Sequence, residues 1–470
     1  MKKYTSSSSS FPDAAAVHAY LDAMPMFSKS GAAAARFGLD GIRELCEALG
    51  NPQRTLCCMH VAGTNGKGSV CQMLSAIYSR AGYRTGCFTS PHLLRYNERI
   101  TLNGQEISDA DLLRFFQAHG PCIQRIQPSY FELATALAFW YFADRQVDIA
   151  VIETGLGGRL DSTNIVQPVL SIITSIGLDH TEILGESLSE IAAEKAGIIK
   201  QKVPVVIGKL PPEARRVVVA RAAGRQSPLY EAETLEPEYL GEGRIRLRMP
   251  SSLHYKTLQT HLQQAVQRYN VAMVMQAIDT LQKRFPVSPE AAAHAIENAR
   301  LRARFEQLMP DLPCYFDGAH NPEAFAQALA EVHQKAGSRN KVLVFSMMRD
   351  KLNDKMISML SQFDEIFYFE TTSERGAAFR ELSQLLPNVK RFNDKEWLSL
   401  ATRLKKVAET APAASTLARA NAGEPVSRSK IPLDIAAPAS PVLVLFSGSL
   451  YFYGYVTKLL MRASPELMRL

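Results

Sequence analysis

The sequence predicts an α/β protein of two domains, and three observations carry that prediction. Short apolar runs alternate with helical patterns from residue 56 to about residue 223, the rhythm of a parallel sheet covered on both faces. The rhythm restarts near Leu312. At 470 residues, 46% hydrophobic and 21% charged, the chain suits two or three domains with sizeable cores rather than one.

Residues 1–12 hold five consecutive serines and no apolar h-region, so they read as a flexible tail and not as a secretory signal. Residues 13–24 look helical. Residues 38–50 form a second helix, with Leu39, Ile42, Leu45 and Leu49 on one face and Gly50 at its stop. Residues 56–61 read as a buried parallel strand. Ala62-Gly63-Thr64-Asn65-Gly66-Lys67-Gly68-Ser69 follows at once, and a helix opens at Val70. Strand, glycine-rich turn and helix form a phosphate cradle: backbone N–H groups and the helix start face the anion, and lysine adds a mobile charge. The strict pattern wants Gly, four residues, then Gly-Lys-Ser/Thr. Here Val61 occupies the first glycine position and Gly68 separates Lys67 from Ser69, but the physical layout is intact.

Residues 85–89 form the next strand, which ends at Ser90-Pro91-His92-Leu93. A serine there sits where open α/β sheets bind ligands. Ser108 begins a helix with Asp109 and Asp111 in its first turn. Residues 130–144 are a strongly apolar helix, and 148–153 a buried strand that ends on Glu153. An unpaired carboxylate is costly to bury, so Glu153 is a metal or catalytic candidate. The glycine-rich stretch 154–164 suggests backbone closely apposed to a ligand. Residues 169–174 are a strand whose end leads to Asp179 and His180. Ser187 and Glu190 form a capping box for a helix over 188–196, with Lys195 in its last turn. Residues 203–207 add a strand.

From 229 to 258 short polar and apolar runs read as a small antiparallel excursion. Residues 263–283 form a long amphipathic helix that contains Asn270, and 291–299 form another. The first domain is thus 1–305 and the second 306–470. In the second, strand 314–316 leads into Asp317-Gly318-Ala319-His320, with Asn321 as helix cap and Pro322 at the first helical position. Strands follow at 341–346, 365–370 and 442–446. An Ala/Pro/Ser-rich stretch at about 410–440 reads as a flexible insertion. The fold class expected is an N-terminal P-loop-type, mostly parallel sheet domain, then a smaller Rossmann-like α/β domain.

A formal net charge of +7 with interspersed signs permits acidic small-molecule substrates and does not argue for nucleic acid. No run of about 18 apolar residues is present, so no membrane-spanning helix is expected. Seven unpatterned cysteines suggest reduced thiols and a cytoplasmic protein. Read from residues alone, the first domain holds phosphates and a divalent cation, with Ser90, Glu153 and His180 as donors suited to Mg²⁺. This reaches an ATP-using enzyme and no substrate.

Five motifs in order resemble the dihydrofolate synthase/folylpolyglutamate synthase family of the Mur ligase superfamily. They are the loop Gly63 to Ser69, Thr89 to Leu93, Glu153 to Asn164, Asp179 to Gly197, and Asp317 to Pro322. The resemblance extends from about Phe37 to Tyr453. It implies that Gly63, Thr64, Asn65, Gly66, Lys67, Gly68 and Ser69 bind ATP, joined by Asn270, Arg304 and Asp317. It implies that Ser90, Glu153 and His180 hold Mg²⁺, and that a carboxylated Lys195 helps hold a second. Lys67, Lys195 and His320 would be catalytic, and Ser129, Phe131 and Asp161 would contact the pterin. The chain departs from the family at Ala303 and Ser346, where relatives usually have glycine.

The implied reaction activates a substrate carboxylate with ATP as an acyl phosphate, which the amino group of L-glutamate then attacks. The carboxylate belongs to dihydropteroate, to a reduced folate, or to both; the intact Asp161 region favours both. Single activity is the alternative. A muramyl-peptide ligase is more remote, because about fifty residues before the loop are too few for a UDP-binding domain. A non-catalytic nucleotide-binding protein fits poorly with Lys67, Glu153, His180 and Asp317 all present. A monomer acting on small molecules, with no nucleic acid and no membrane, is expected.

Overall fold

The computed structural model describes residues 11–25, 38–248, 255–262, 264–309, 312–371, 373, 375–410 and 442–463. The chain divides into two compact units, Met1–Leu301 and Arg302–Leu470. Residues 411–441, nearly all of the expected insertion, lie outside the described residues.

The first unit is built on β1 Cys58–Ala62, β2 Thr85–Phe88, β3 Ile100–Leu102, β4 Gln105–Glu106, β5 Ile149–Glu153, β6 Leu170–Ile173, β7 Val205–Ile207 and β8 Leu229–Glu231. Among the described residues these form one sheet in the order β4-β3-β2-β5-β1-β6-β7-β8. From β2 to β8 neighbours run parallel, while β3 and β4 turn back antiparallel at one edge. Both β1 and β5 are buried at every position, as strands covered on two faces must be. Helices Lys67–Arg80, Gln267–Leu281 and Pro289–Glu297 cover one face with Leu74, Ile77, Val274 and Ile296. Helices Ala14–Ala23, Asp109–Ile126 and Tyr130–Asp144 cover the other with Leu21, Phe115, Leu133 and Phe139.

Two details differ from the sequence reading. Phe11, read as part of the tail, is 4% exposed, and its ring packs 4.9 Å from that of Phe116. Leu229–Glu231 joins the main sheet parallel to β7. Three partly exposed residues carry too little periodicity to separate it from the excursion that follows. That excursion is a separate antiparallel sheet of β9 Glu238–Tyr239, β10 Arg244–Arg248 and β11 Tyr255–Gln259.

The second unit contains β12 Glu306–Gln307, β13 Cys314–Asp317, β14 Asn340–Ser346, β15 Glu365–Tyr368, β16 Val389–Arg391 and β17 Val442–Gly448. The order is β12-β13-β17-β14-β15-β16, parallel except for β12. The last strand among the described residues therefore lies inside the sheet, between β13 and β14, and all seven of its residues are buried. Ser346 ends β14 and pairs with Gly448 of β17. All seven cysteines are free. Among the described residues no helix is long and apolar enough to cross a membrane.

Candidate active site

The glycine loop leaves β1 at the middle of the first sheet, and the loop after β6 holds it in place. Thr64 N donates to Ser175 O at 2.8 Å and Asn65 N to Ser175 Oγ at 2.9 Å. Thr174 Oγ1 donates to Asn65 O at 2.7 Å. Gly66 then enters the helix Lys67–Arg80 at φ +87°, a left-handed conformation open to glycine. Any Cβ there would also fall 2.6 Å from Asn270 Oδ1, so Asn270 lies directly over the loop. Gln267 orients it by accepting from Asn270 Nδ2 at 2.8 Å. No side chain caps the helix start. The N–H groups of its first turn, which lack intrahelical partners, together with the helix dipole, suit this helix start to an anion.

Two lysines converge on one carbonyl of this loop. Lys67 Nζ donates to Gly63 O at 2.9 Å and Thr64 O at 3.2 Å, and Lys195 Nζ donates to Gly63 O at 3.0 Å. Lys195 comes from the end of helix Leu188–Ala196 and is 4% exposed. Burial pushes its pKa down to about 7; the Lys67 charge adds to this, and Asp179 and Asp161 oppose it. An amine near neutrality is a nucleophile as well as a cation.

Glu153 ends β5 between β1 and β2 and is 3% exposed. Its Oε2 accepts from Ser90 N at 3.0 Å, so the structure brings these two together. A Cβ on Gly68 would lie 3.7 Å from the same oxygen, which places the carboxylate beside the phosphate loop. His180 stands at φ +52° before helix Thr181–Leu184, 3.9 Å from Asp179. Among the described residues no three His, Cys, Asp or Glu side chains form a metal cage. The donor set still fits Mg²⁺, which keeps several waters and takes phosphate oxygens alongside one or two carboxylates.

The loop 154–161 is shaped by Asp161. Its Oδ2 accepts from Gly155 N and Leu156 N, both at 2.9 Å, and Oδ1 accepts from Thr163 N at 3.0 Å and from the Thr163 hydroxyl. Phe131 lies against this loop: a Cβ on Gly155 would fall 2.6 Å from the ring. Phe131 and Asp161 thus meet at Gly155. Ser129 serves its own helix, where its hydroxyl accepts from Glu132 N at 3.3 Å and Glu132 Oε2 accepts from Ser129 N at 2.7 Å.

In the second unit Asp317 ends β13 with both oxygens engaged, Oδ2 by Phe305 N and Oδ1 by Ala319 N, each at 2.8 Å. Gly318 N also donates to Ala303 O at 3.0 Å. These bonds pin Ala303 at φ +56° and Phe305 at φ +45°, and so fix the backbone on both sides of Arg304. Ala303 therefore holds a left-handed conformation that glycine adopts more readily. His320 Nδ1 lies 2.9 Å from Gly318 O, and Asn321 Oδ1 accepts from Ala324 N at 3.0 Å.

Sequence reasoning missed Thr174, Ser175 and Gln267. Polar residues at the end of an apolar strand were the available signal for the first two. For Gln267 there was none, because its partner is visible only in three dimensions.

Family models agree with this layout. A Mur ligase middle domain matches residues 61–224, and a Mur ligase glutamate ligase domain matches residues 303–423. The fold and the loop are thus those of a Mur-type ligase. A Bacillus subtilis dihydrofolate synthase/folylpolyglutamate synthase is 36% identical over 373 residues, 77% of this chain and 86% of that protein. The structure of a Thermotoga maritima folylpolyglutamate synthase superposes with TM-score 0.73 at 28% identity, covering 97% of this chain and 99% of that one. An Escherichia coli FolC in complex with DHPP and ADP gives TM-score 0.75 at 26% identity, covering 98% and 100%. The chain belongs to the dihydrofolate synthase/folylpolyglutamate synthase family of the Mur ligase superfamily.

Proposed function

We propose that this chain is an ATP-dependent ligase that joins L-glutamate to dihydropteroate and to reduced folates. The observation that carries the reading is the uncapped helix start with Lys67 and Lys195 gathered on Gly63 O, beside the buried Glu153. The substrate carboxylate attacks the γ-phosphorus of ATP, and ADP leaves. Lys67 and the loop N–H groups offset charge on the phosphoryl oxygens, by position and electrostatics. The glutamate amine then attacks the acyl carbon, phosphate departs, and an amide remains.

Ser90, Glu153 and His180 would hold Mg²⁺, which when bound supplies charge neutralisation at the phosphates. Lys195, neutral in part near pH 7, is suited to carboxylation, and the resulting carbamate to a second Mg²⁺. Gly63 to Ser69 and Asn270 take the nucleotide in the first unit; Arg304, Asp317 and His320 are the second unit's contributors. Phe131 and Asp161 shape the surface offered to the pterin, with Ser129 holding the helix start that carries Phe131. The reading carries a cytoplasmic monomer.

The test is ADP release with ATP, Mg²⁺ and L-glutamate, with dihydropteroate in one reaction and tetrahydrofolate in another. Turnover in both supports the bifunctional reading, and turnover in one assigns a single activity. Silence in both overturns the substrate assignment.

A further inference from the structure

His60 is the one polar side chain inside β1, three residues before the glycine loop, and the ligase reaction gives it no task. It is fully buried. Its Nε2 lies 2.7 Å from Thr163 Oγ1. Thr163, also fully buried, donates its hydroxyl to Asp161 Oδ1. Asp161 in turn receives the N–H groups of Gly155 and Leu156.

The direction of this chain can be worked out. Burial pushes the Asp161 carboxyl up from its ordinary range, and the Thr163 hydroxyl and three backbone N–H bonds oppose that shift by favouring the ionised form, which can only accept. The single hydroxyl proton of Thr163 goes to that carboxylate, so Thr163 Oγ1 is the acceptor for His60. His60 must then carry its proton on Nε2. The other ring nitrogen, Nδ1, is buried with no partner. A bare lone pair there is tolerable, whereas a bare N–H is rare in folded proteins. Burial and the nearby Lys200 charge push the His60 pKa down to about 3, so the ring stays neutral.

We infer that His60 and Thr163 are positioning residues, a fixed donor chain that sets the Asp161 carboxylate and, through it, the Gly155–Leu156 backbone against the strand that carries the phosphate loop. One strand thereby places two binding loops: its end holds the nucleotide loop, and its middle, through Thr163, holds the loop against which Phe131 packs. The consequence for substrate rests on the reading that loop 154–161 faces the pterin; the hydrogen-bond chain itself does not.

Two measurements test this. In protein labelled at histidine with ¹³C and ¹⁵N, the signal lost in His60→Gln should show a neutral Nε2–H ring at neutral pH. A Nδ1–H ring or an imidazolium overturns the inference. In the ligase assay, Thr163→Val should raise the KM for dihydropteroate about tenfold or more, the loss expected for a buried hydrogen bond left half-made. The KM for ATP should stay within about twofold, and Thr163→Ser should keep the dihydropteroate KM near that of wild type. An unchanged dihydropteroate KM in Thr163→Val, or equal shifts in both KM values, overturns the inference. If wild-type protein turns over no pterin, the functional reading fails while the ring tautomer still decides the chain. If Thr163→Val does not fold, the tautomer and Thr163→Ser decide it; a Thr163→Ser shift in dihydropteroate KM as large as that expected for Thr163→Val counts against it.

Discussion

Each unit has a junction where an interior strand hands over to a helix, and the two junctions treat the helix start in opposite ways. After β13, Asn321 caps the helix Pro322–Ala336 and Pro322 removes one N–H altogether. After β1, Gly66 provides no cap, and Ser175 holds the loop through the Asn65 N–H. The same strand-to-helix handover thus gives a capped helix start in one unit and an uncapped one in the other. The difference lies in one residue position, a side-chain acceptor against a left-handed glycine, plus the lysine that follows the glycine.

The comparison is broken most severely at Lys67. Lys67→Ala should lower ligase turnover by about 10²–10³-fold or more, with a circular dichroism spectrum like that of wild type. Gly66→Ala forces a left-handed alanine and a contact with Asn270, so unfolding in urea should show a loss of roughly 1–2 kcal/mol, and the KM for ATP should rise. Lys195 sharpens the contrast through pH. Its folded pKa is about 7 against an ordinary 10.5, so between those values the unfolded chain binds more protons and stability rises with pH. In buffer free of carbon dioxide, wild type should gain roughly 1–2 kcal/mol relative to Lys195→Met between about pH 7 and pH 9. Equal slopes would show that Lys195 titrates normally. At the capped junction Asn321→Ala should cost about 1 kcal/mol, read from the urea midpoint.

The smallest effect is expected at Ala303→Gly. Relief of about 1–2 kcal/mol from the left-handed alanine is offset by the lost methyl burial of about 0.8 kcal/mol and the greater chain freedom of glycine. Stability should change by less than about 1 kcal/mol. A larger gain would mean that the turn at Arg304 is held under more strain than its hydrogen bonds suggest.

Much of the fold could be read from local signals. The caps at Ser129 and Ser187, the Asn321-Pro322 start and the apolar strands 149–153 and 442–448 all follow rules within a few residues. The β3–β4 hairpin was readable and went unread: Asn103-Gly104, both at positive φ, is a strong two-residue turn signal. β12 and β16 span two and three residues, too few to show a period. At the candidate site the loop and Glu153 were legible because they end apolar strands. The convergence of Lys67 and Lys195 on one carbonyl was not, because it joins residues far apart in sequence through the packing of a helix end. The His60–Thr163–Asp161 chain was hidden for the same reason.

The placement of β17 has a consequence for how the chain is made. The second sheet is closed from within by β17, the last of its described strands, which pairs on both sides with strands made well before it. Until residue 448 leaves the ribosome, β13 and β14 each carry an unpaired inner edge, the kind of edge that recruits foreign strands. In the first sheet β5 likewise enters between β2 and β1 after both are made, but it comes before β6, β7 and β8 rather than last. A nascent chain should therefore complete its first sheet while the second still has an open inner edge.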